Sequence, residues 1–324
     1  MKLHENKVEF AQAIQAAAGG LGIREVFIEK DYWVCFILKN LSLSSEFKSQ
    51  VVFKGGTSLS KAHKAIHRFS EDVDLAVILG DRSGNQIKKL LGDIELAIAK
   101  TPLKEITQAG ITSKGSRFRK TVWEFEKTSQ GNYGDASPDL LLEINSFATP
   151  SPFGVRSIQT YISDFLLQED LKKEITTYEL HPFEINVLDT KRTFTEKIAG
   201  IVRASFAQPD DHSELKKKIR HLYDITMLLR DNYISEFVSS GNFLKLYEQV
   251  KKDDLNVSEE QASYAKKNPL EAPIFKSTGD VLKELTTTYE VQFMSLVYKT
   301  ENAPKIKDLK AALETVKKEF TSQR

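Results

Sequence analysis

Val51-Val52-Phe53-Lys54-Gly55-Gly56-Thr57-Ser58-Leu59-Ser60-Lys61 is the stretch on which the fold turns. Its first three residues are β-branched or aromatic and read as a short buried strand, which two glycines end. A helix is expected over 58–66. Glycines let a backbone approach a phosphate closely, and the free N–H groups and dipole of a helix start favour an anion. Hydroxyls of Thr57 and Ser58 can add hydrogen bonds, and Lys61, one turn on, can add charge. Taken alone, the string is equally an ordinary turn and helix cap.

Working outward, the next informative stretch is Arg68-Phe69-Ser70-Glu71-Asp72-Val73-Asp74-Leu75-Ala76-Val77. A strand over 72–79 sends Asp72 and Asp74 to one face and Val73, Leu75 and Val77 to the other. Two carboxylates so close repel each other unless something positive lies between them. A divalent cation meets that need, since Mg²⁺ is commonly held by one or two carboxylates plus substrate phosphates. The plain alternative is a solvated strand edge. Leu140, Leu142 and Ile144 share one face of a later strand, with Asp139, Glu143 and Asn145 on the other. Glu143 is the candidate for a third acid at the metal, and an exposed polar sheet face explains it equally well. Arg68 offers a planar fork of donors for a triphosphate, and Ser70 either caps the turn before Asp72 or contacts a nucleotide.

The rest of the chain falls into two parts. Helices are expected within 5–45, the second following Glu29-Lys30-Asp31, and another over 86–100. Sheet is expected over 106–112, 117–126, 140–147 and 183–187. Beyond that, helices are expected over 191–205, 214–231, 235–251, 278–297 and 306–321. The expectation is therefore an α/β (α+β) lobe at 1–188, with N-terminal helices, and an α-helical lobe at 189–324 that closes the cleft. On the first of these later helices Lys197 lies beside the apolar stripe of Phe194, Ile198, Ile201 and Val202. On the second, Asp224 has Met227 and Leu228 as angular neighbours, so it is partly buried and needs a partner. Lys197 is a candidate, either in a buried structural ion pair or as part of a site.

Composition narrows the function classes. The 324 residues carry a net charge of +1, so no whole-protein basic field exists and any nucleic acid must use a local patch. The basic segment at 113–120, followed by Trp123 and Phe125, can hold an RNA backbone and stack a base, or can be a solvated hairpin tip. The single cysteine, Cys35, rules out an intramolecular disulfide and a Cys-rich zinc site. It reads as a small buried hydrophobe. Its apolar run, 32–38, is too short to cross a bilayer, and the N-terminus lacks an apolar core of signal-peptide length. A soluble, cytoplasmic protein without membrane association is expected.

Gly55-Gly56-Thr57-Ser58-Leu59-x-Lys61, followed by Arg68-x-Ser70-x-Asp72-x-Asp74-Leu75, carries a resemblance. A glycine turn opening a helix, then an acid-x-acid strand, resembles the nucleotidyltransferase fold of polymerase-beta-like enzymes. The longer string resembles the AbiEii/AbiGii toxin family of type IV toxin–antitoxin and abortive-infection systems, related to the MenT toxins. Ile28-Glu29-Lys30-Asp31-Tyr32-Trp33-Val34, Arg192-Thr193-Phe194-Thr195-Glu196-Lys197-Ile198 and Arg220-His221-Leu222-Tyr223-Asp224 are similar to further segments of that family. One departure is an interval from the glycines to the first acid that is longer than usual in polymerase-beta-like enzymes. The resemblance implies a nucleotidyltransferase lobe with a mixed sheet, followed by helices. It implies transfer of a nucleotide from a nucleoside triphosphate with Mg²⁺ or Mn²⁺ on Asp72, Asp74 and Glu143. Gly55, Gly56, Thr57, Ser58, Lys61, Arg68 and Ser70 are then expected around the nucleotide, and Lys197 and Asp224 join Asp72 and Asp74 as catalytic residues. The implied acceptor is RNA, specifically a tRNA 3′ end, with a cognate antitoxin encoded nearby. Modification of a protein or small molecule, and nucleotide binding without turnover, remain the alternatives.

Overall fold

The computed structural model describes residues 1–134, 136–255 and 263–322. These form two compact units, Met1–Lys64 with Phe69–Leu188, and Ala65–Arg68 with Asp189–Arg324. Ala65–Arg68 thus belongs with the helices, which accounts for the long interval between the glycines and Asp72.

In the first unit the described residues form one mixed sheet. Its strands are β1 (Val51–Lys54), β2 (Val73–Val77), β3 (Lys104–Ile106), β4 (Ser113–Lys114), β5 (Phe118–Glu124), β6 (Leu140–Asn145), β7 (Phe153–Ile158) and β8 (Phe183–Leu188). The order is β3-β5-β6-β2-β1-β8-β7, with β4 paired to β5. β1 is antiparallel to β2 and parallel to β8, and β2 is parallel to β6. Central strands β1 and β2 bury Val51, Val52, Phe53, Val73, Leu75 and Val77, as strands covered on their faces do. The helices of this unit are α1 (Lys7–Leu21), α2 (Glu25–Leu43), α3 (Gly55–Lys61), α4 (Gly84–Ala99), α5 (Tyr161–Gln168) and α6 (Lys172–Thr177). α2 packs against β6 and β8. Ser83 and Gln86 form a capping box that starts α4. The lone Cys35 is fully buried in α2.

The second unit holds α7 (Thr190–Ala207), α8 (Ser213–Lys216), α9 (Ile219–Leu228), α10 (Asn232–Ser239), α11 (Asn242–Leu255), α12 (Pro273–Lys276), α13 (Thr278–Thr287) and α14 (Ile306–Thr321). α7 packs on α9 and α11, and α14 packs on α9 and α13. Asp189 caps α7 by accepting from the Lys191 N–H at 2.8 Å. No helix among the described residues is long and apolar enough to cross a membrane.

Several boundaries differ from the sequence expectation. α2 begins at Glu25, so Glu29, Lys30 and Asp31 lie inside it rather than before it. α3 starts at Gly55 and stops at Lys61. The expected strand over 106–112 is only Lys104–Ile106, because Gln108 accepts from the N–H groups of Ile111 and Thr112 in a turn. The helix expected over 214–231 is broken at Lys217–Lys218, where the Lys218 and His221 N–H groups reach back three residues. The helix over 235–251 is broken at Gly241, whose φ of 72° ends a helix.

Candidate active site

The glycine turn is built around an aspartate. Gly55 has φ 76°, and a Cβ placed on it would lie 1.9 Å from Asp74 Oδ2 and 2.8 Å from Asp74 Cγ. Position 55 therefore excludes a side chain on two grounds, backbone conformation and contact. The start of α3 has no side-chain cap from Lys54, and the Asp74 carboxylate lies against its first residue.

Asp72 stands just before β2 and Asp74 within it. Both are half-buried, while Val73 and Leu75 between and after them are fully buried. The alternation of a strand thus turns both carboxylates to one face. On that face Asp74 is flanked by Lys54 of β1 and Glu143 of β6. Glu143 pairs with Lys120 Nζ at 2.6 Å. The described residues contain no cluster of three His, Cys, Asp or Glu side chains poised for a metal. Two carboxylates on one strand face beside a glycine turn nevertheless suit Mg²⁺, which takes remaining ligands from substrate oxygens and water.

The hydroxyls expected at the nucleotide are turned inward. Ser58 Oγ donates to the Gly55 carbonyl at 2.9 Å and Thr57 Oγ1 to Ser70 Oγ at 3.0 Å. The second bond ties α3 to the approach to Asp72. Lys61 does not present its charge to a phosphate: it is buried, 2.6 Å from Asp31 Oδ1, with Tyr161 under its ammonium. This corrects its expected role, because burying an ammonium without a counter-ion is costly.

Arg68 also spends donors within the chain, on Asp224. In the helical unit Asp224 has no exposed surface and accepts three charge-assisted bonds. Arg68 donates from Nε to Oδ1 and from Nη2 to Oδ2, both at 2.7 Å, and Lys197 Nζ lies 2.8 Å from Oδ2. Lys197 is therefore one of two partners of Asp224, with Arg68. Burial alone would raise the Asp224 carboxyl, but Arg68 and then Lys197 overcome it and hold it below the ordinary carboxylate value. Next to this pair, the Nδ1 of His221 is buried without a hydrogen-bond partner. Its ring sits against Gly200, where a Cβ would come within 3.1 Å.

A family model described as "Nucleotidyl transferase AbiEii toxin, Type IV TA system" matches residues 37–315. The chain belongs to the AbiEii family. It is therefore a nucleotidyltransferase of a toxin family, as the glycine turn and acid pair imply. No curated protein sequence matches it. Among solved structures, the chain is similar to MenT4, a nucleotidyltransferase toxin from Mycobacterium tuberculosis H37Rv. The two share 16% identity at a TM-score of 0.47, covering 95% of this chain and 98% of that one.

Within this AbiEii chain, Lys30 and Glu71 form a buried pair that no motif in the sequence singles out. Lys30 Nζ lies 2.6 Å from Glu71 Oε2, and both are buried. Burial draws the Lys30 ammonium below the ordinary lysine value, opposed by Glu71 and then by Asp72 and Asp139. The signal was present in Ile28-Glu29-Lys30-Asp31-Tyr32-Trp33: three charges inside an apolar helix must find buried partners. The stacking candidates also change. Trp123 and Phe125 are buried, whereas half-buried Phe118 stacks on Phe147 at 5.8 Å and 22°.

Proposed function

We propose that this chain transfers a nucleotide from a nucleoside triphosphate to an RNA hydroxyl, with a divalent cation held by Asp72 and Asp74. The observation that carries this reading is the contact of Gly55 with Asp74. It joins a turn suited to a phosphate with an acid suited to a cation. Gly55, Gly56 and the start of α3 bind phosphate oxygens through backbone N–H groups. Ser70, held by Thr57, orders the approach to Asp72. Lys197 and Asp224, with Arg68, form the charge cluster of the helical unit that the family resemblance assigns to the reaction. When bound, Mg²⁺ or Mn²⁺ supplies Lewis-acid stabilisation of charge on the transferring phosphoryl group. Glu143 is the reserve acid, next to Asp74 and neutralised by Lys120.

An RNA acceptor is supported by the exposed Lys114 and Arg117 at the β4–β5 hairpin and by the Phe118–Phe147 stack beside them. The family's toxin character extends the proposal to a tRNA 3′ end, to action in the cytoplasm, and to a cognate antitoxin. The test is incubation with each of four labelled nucleoside triphosphates, Mg²⁺ and total RNA. Label is expected in a small RNA, to be lost with chelator and with Asp72→Asn. Label on protein alone would move the acceptor. No transfer from any nucleotide, with Asp72→Ala still fully toxic in cells, would sink the proposal.

A further inference from the structure

Three consecutive charged residues, Glu29, Lys30 and Asp31, lie buried in the first half of α2. Successive helical side chains differ by about 100° in direction, so the three reach different parts of the first unit. Glu29 accepts from the backbone N–H groups of Thr128 at 2.6 Å and Ser129 at 2.8 Å. Lys30 donates to Glu71 Oε2 at 2.6 Å, to the Asp139 carbonyl at 3.0 Å and to the Ser137 carbonyl. The other Glu71 oxygen accepts from the Ser137 N–H at 3.1 Å. Asp31 pairs with Lys61 and accepts from the Tyr161 N–H at 2.7 Å.

The anchored segments are those that carry the proposed chemistry. Glu71 is bonded to Asp72 in sequence. Asp139 leads directly into β6, which places Glu143 beside Asp74. Lys61 ends α3, whose first residue is Gly55. One end of a single helix thus holds the acid strand, its neighbour and the glycine-turn helix. Buried ion pairs are poor sources of net stability, since apolar residues of similar volume often serve as well. What they supply is a fixed direction, because a charge-assisted bond tolerates little displacement.

We propose that Lys30 is a positioning residue for the acid pair: through Glu71 it fixes the backbone at Asp72, so that the Asp72 and Asp74 carboxylates converge on one cation. This inference rests on the reading that those two carboxylates take a divalent cation. Lys30 touches neither substrate nor cation itself.

The test is Mn²⁺ binding to the purified full chain, read from the free-ion EPR signal and therefore independent of turnover. Wild type, Asp72→Asn, Lys30→Met/Glu71→Met and Glu71→Gln are compared, with Leu91→Ala in the core of α4 as a control for lost stability. Wild type is expected to bind and Asp72→Asn to lose binding. The double variant, folded by CD, is expected to bind Mn²⁺ at least ten-fold more weakly, and its half-saturating Mg²⁺ for nucleotide transfer rises in step. Leu91→Ala is expected to match wild type in affinity at a temperature where both are folded. If the double variant does not fold, the near-isosteric Glu71→Gln decides, with at least a three-fold loss expected. A folded variant that binds like wild type overturns the positioning role and leaves the function standing. Wild type that binds no Mn²⁺ overturns both.

Discussion

A methyl group added at Gly55 would enter the carboxylate of Asp74. The contact of 1.9 Å to Oδ2 cannot be relieved by the glycine's own backbone, which is already in the left-handed region at φ 76°. Gly55→Ala therefore combines two effects. The backbone strain costs roughly 1–2 kcal/mol, and the displaced carboxylate leaves the position at which it meets a cation. A reacting group moved by about 1 Å commonly loses about 10²-fold in rate. The expected outcome is a modest fall in melting temperature with a loss of transfer on that order. Wild-type turnover in Gly55→Ala would separate the turn from the chemistry. At this scale the sequence was informative where geometry is local. The i, i+2 alternation places Asp72 and Asp74 on one face whatever the rest of the chain does. It was uninformative where a side chain chooses between solvent and a distant partner. Lys61 reads as a phosphate ligand because Asp31 lies thirty residues away, and Arg68 reads the same way because Asp224 lies far along the chain.

Helices were legible when they carried a continuous stripe and illegible when a single residue broke them. α7 and α14 were anticipated to within a few residues. The breaks at Lys217–Lys218 and Gly241 were not, since the apolar period runs through both. β7 leaves no period in the sequence because it is an edge strand: Phe153 and Val155 are exposed, so no buried face imposes one. Asp224 shows what a pair of helices can impose on one residue. α7 supplies Lys197, α9 supplies Asp224, and the buried Arg68 completes the group. Asp224→Asn keeps the shape but leaves two buried cations without their counter-charge. Breaking a buried ion pair in this way typically costs about 3–5 kcal/mol. Urea unfolding followed by far-UV CD should show a loss of that size. A loss below about 1 kcal/mol would mean that Arg68 and Lys197 find solvent once released, and that the cluster is not a structural centre of α7 and α9.

At the scale of the molecule, far-UV CD reports on the helices of both units and tryptophan emission on one unit alone. Both tryptophans, Trp33 and Trp123, lie in the first unit, whereas His221 and Asp224 lie in the second. Burial first, then Lys197, Lys218, Arg68 and Arg203, push His221 well below its ordinary value of 6.5. Folded His221 is therefore neutral at pH values where the unfolded chain takes up a proton. The contribution of His221 to stability is fully present above the unfolded value near 6.5. It is lost as pH falls towards the folded value, by up to about 1.4 kcal/mol per pH unit. His67, in the same unit and also lowered by burial, acts with the same sign. Asp224, held below 3.8, adds its own loss only in stronger acid. His221→Gln should flatten the fall in stability between pH 6.5 and about pH 5 when unfolding is followed by far-UV CD. The tryptophan emission transition should keep its pH dependence, because it reports on a core that holds neither residue. An unchanged slope in the variant would remove His221 as the source. A flattening of equal size in both signals would instead show that the units unfold as one, so that a proton taken up in the helices is felt at Trp33 and Trp123.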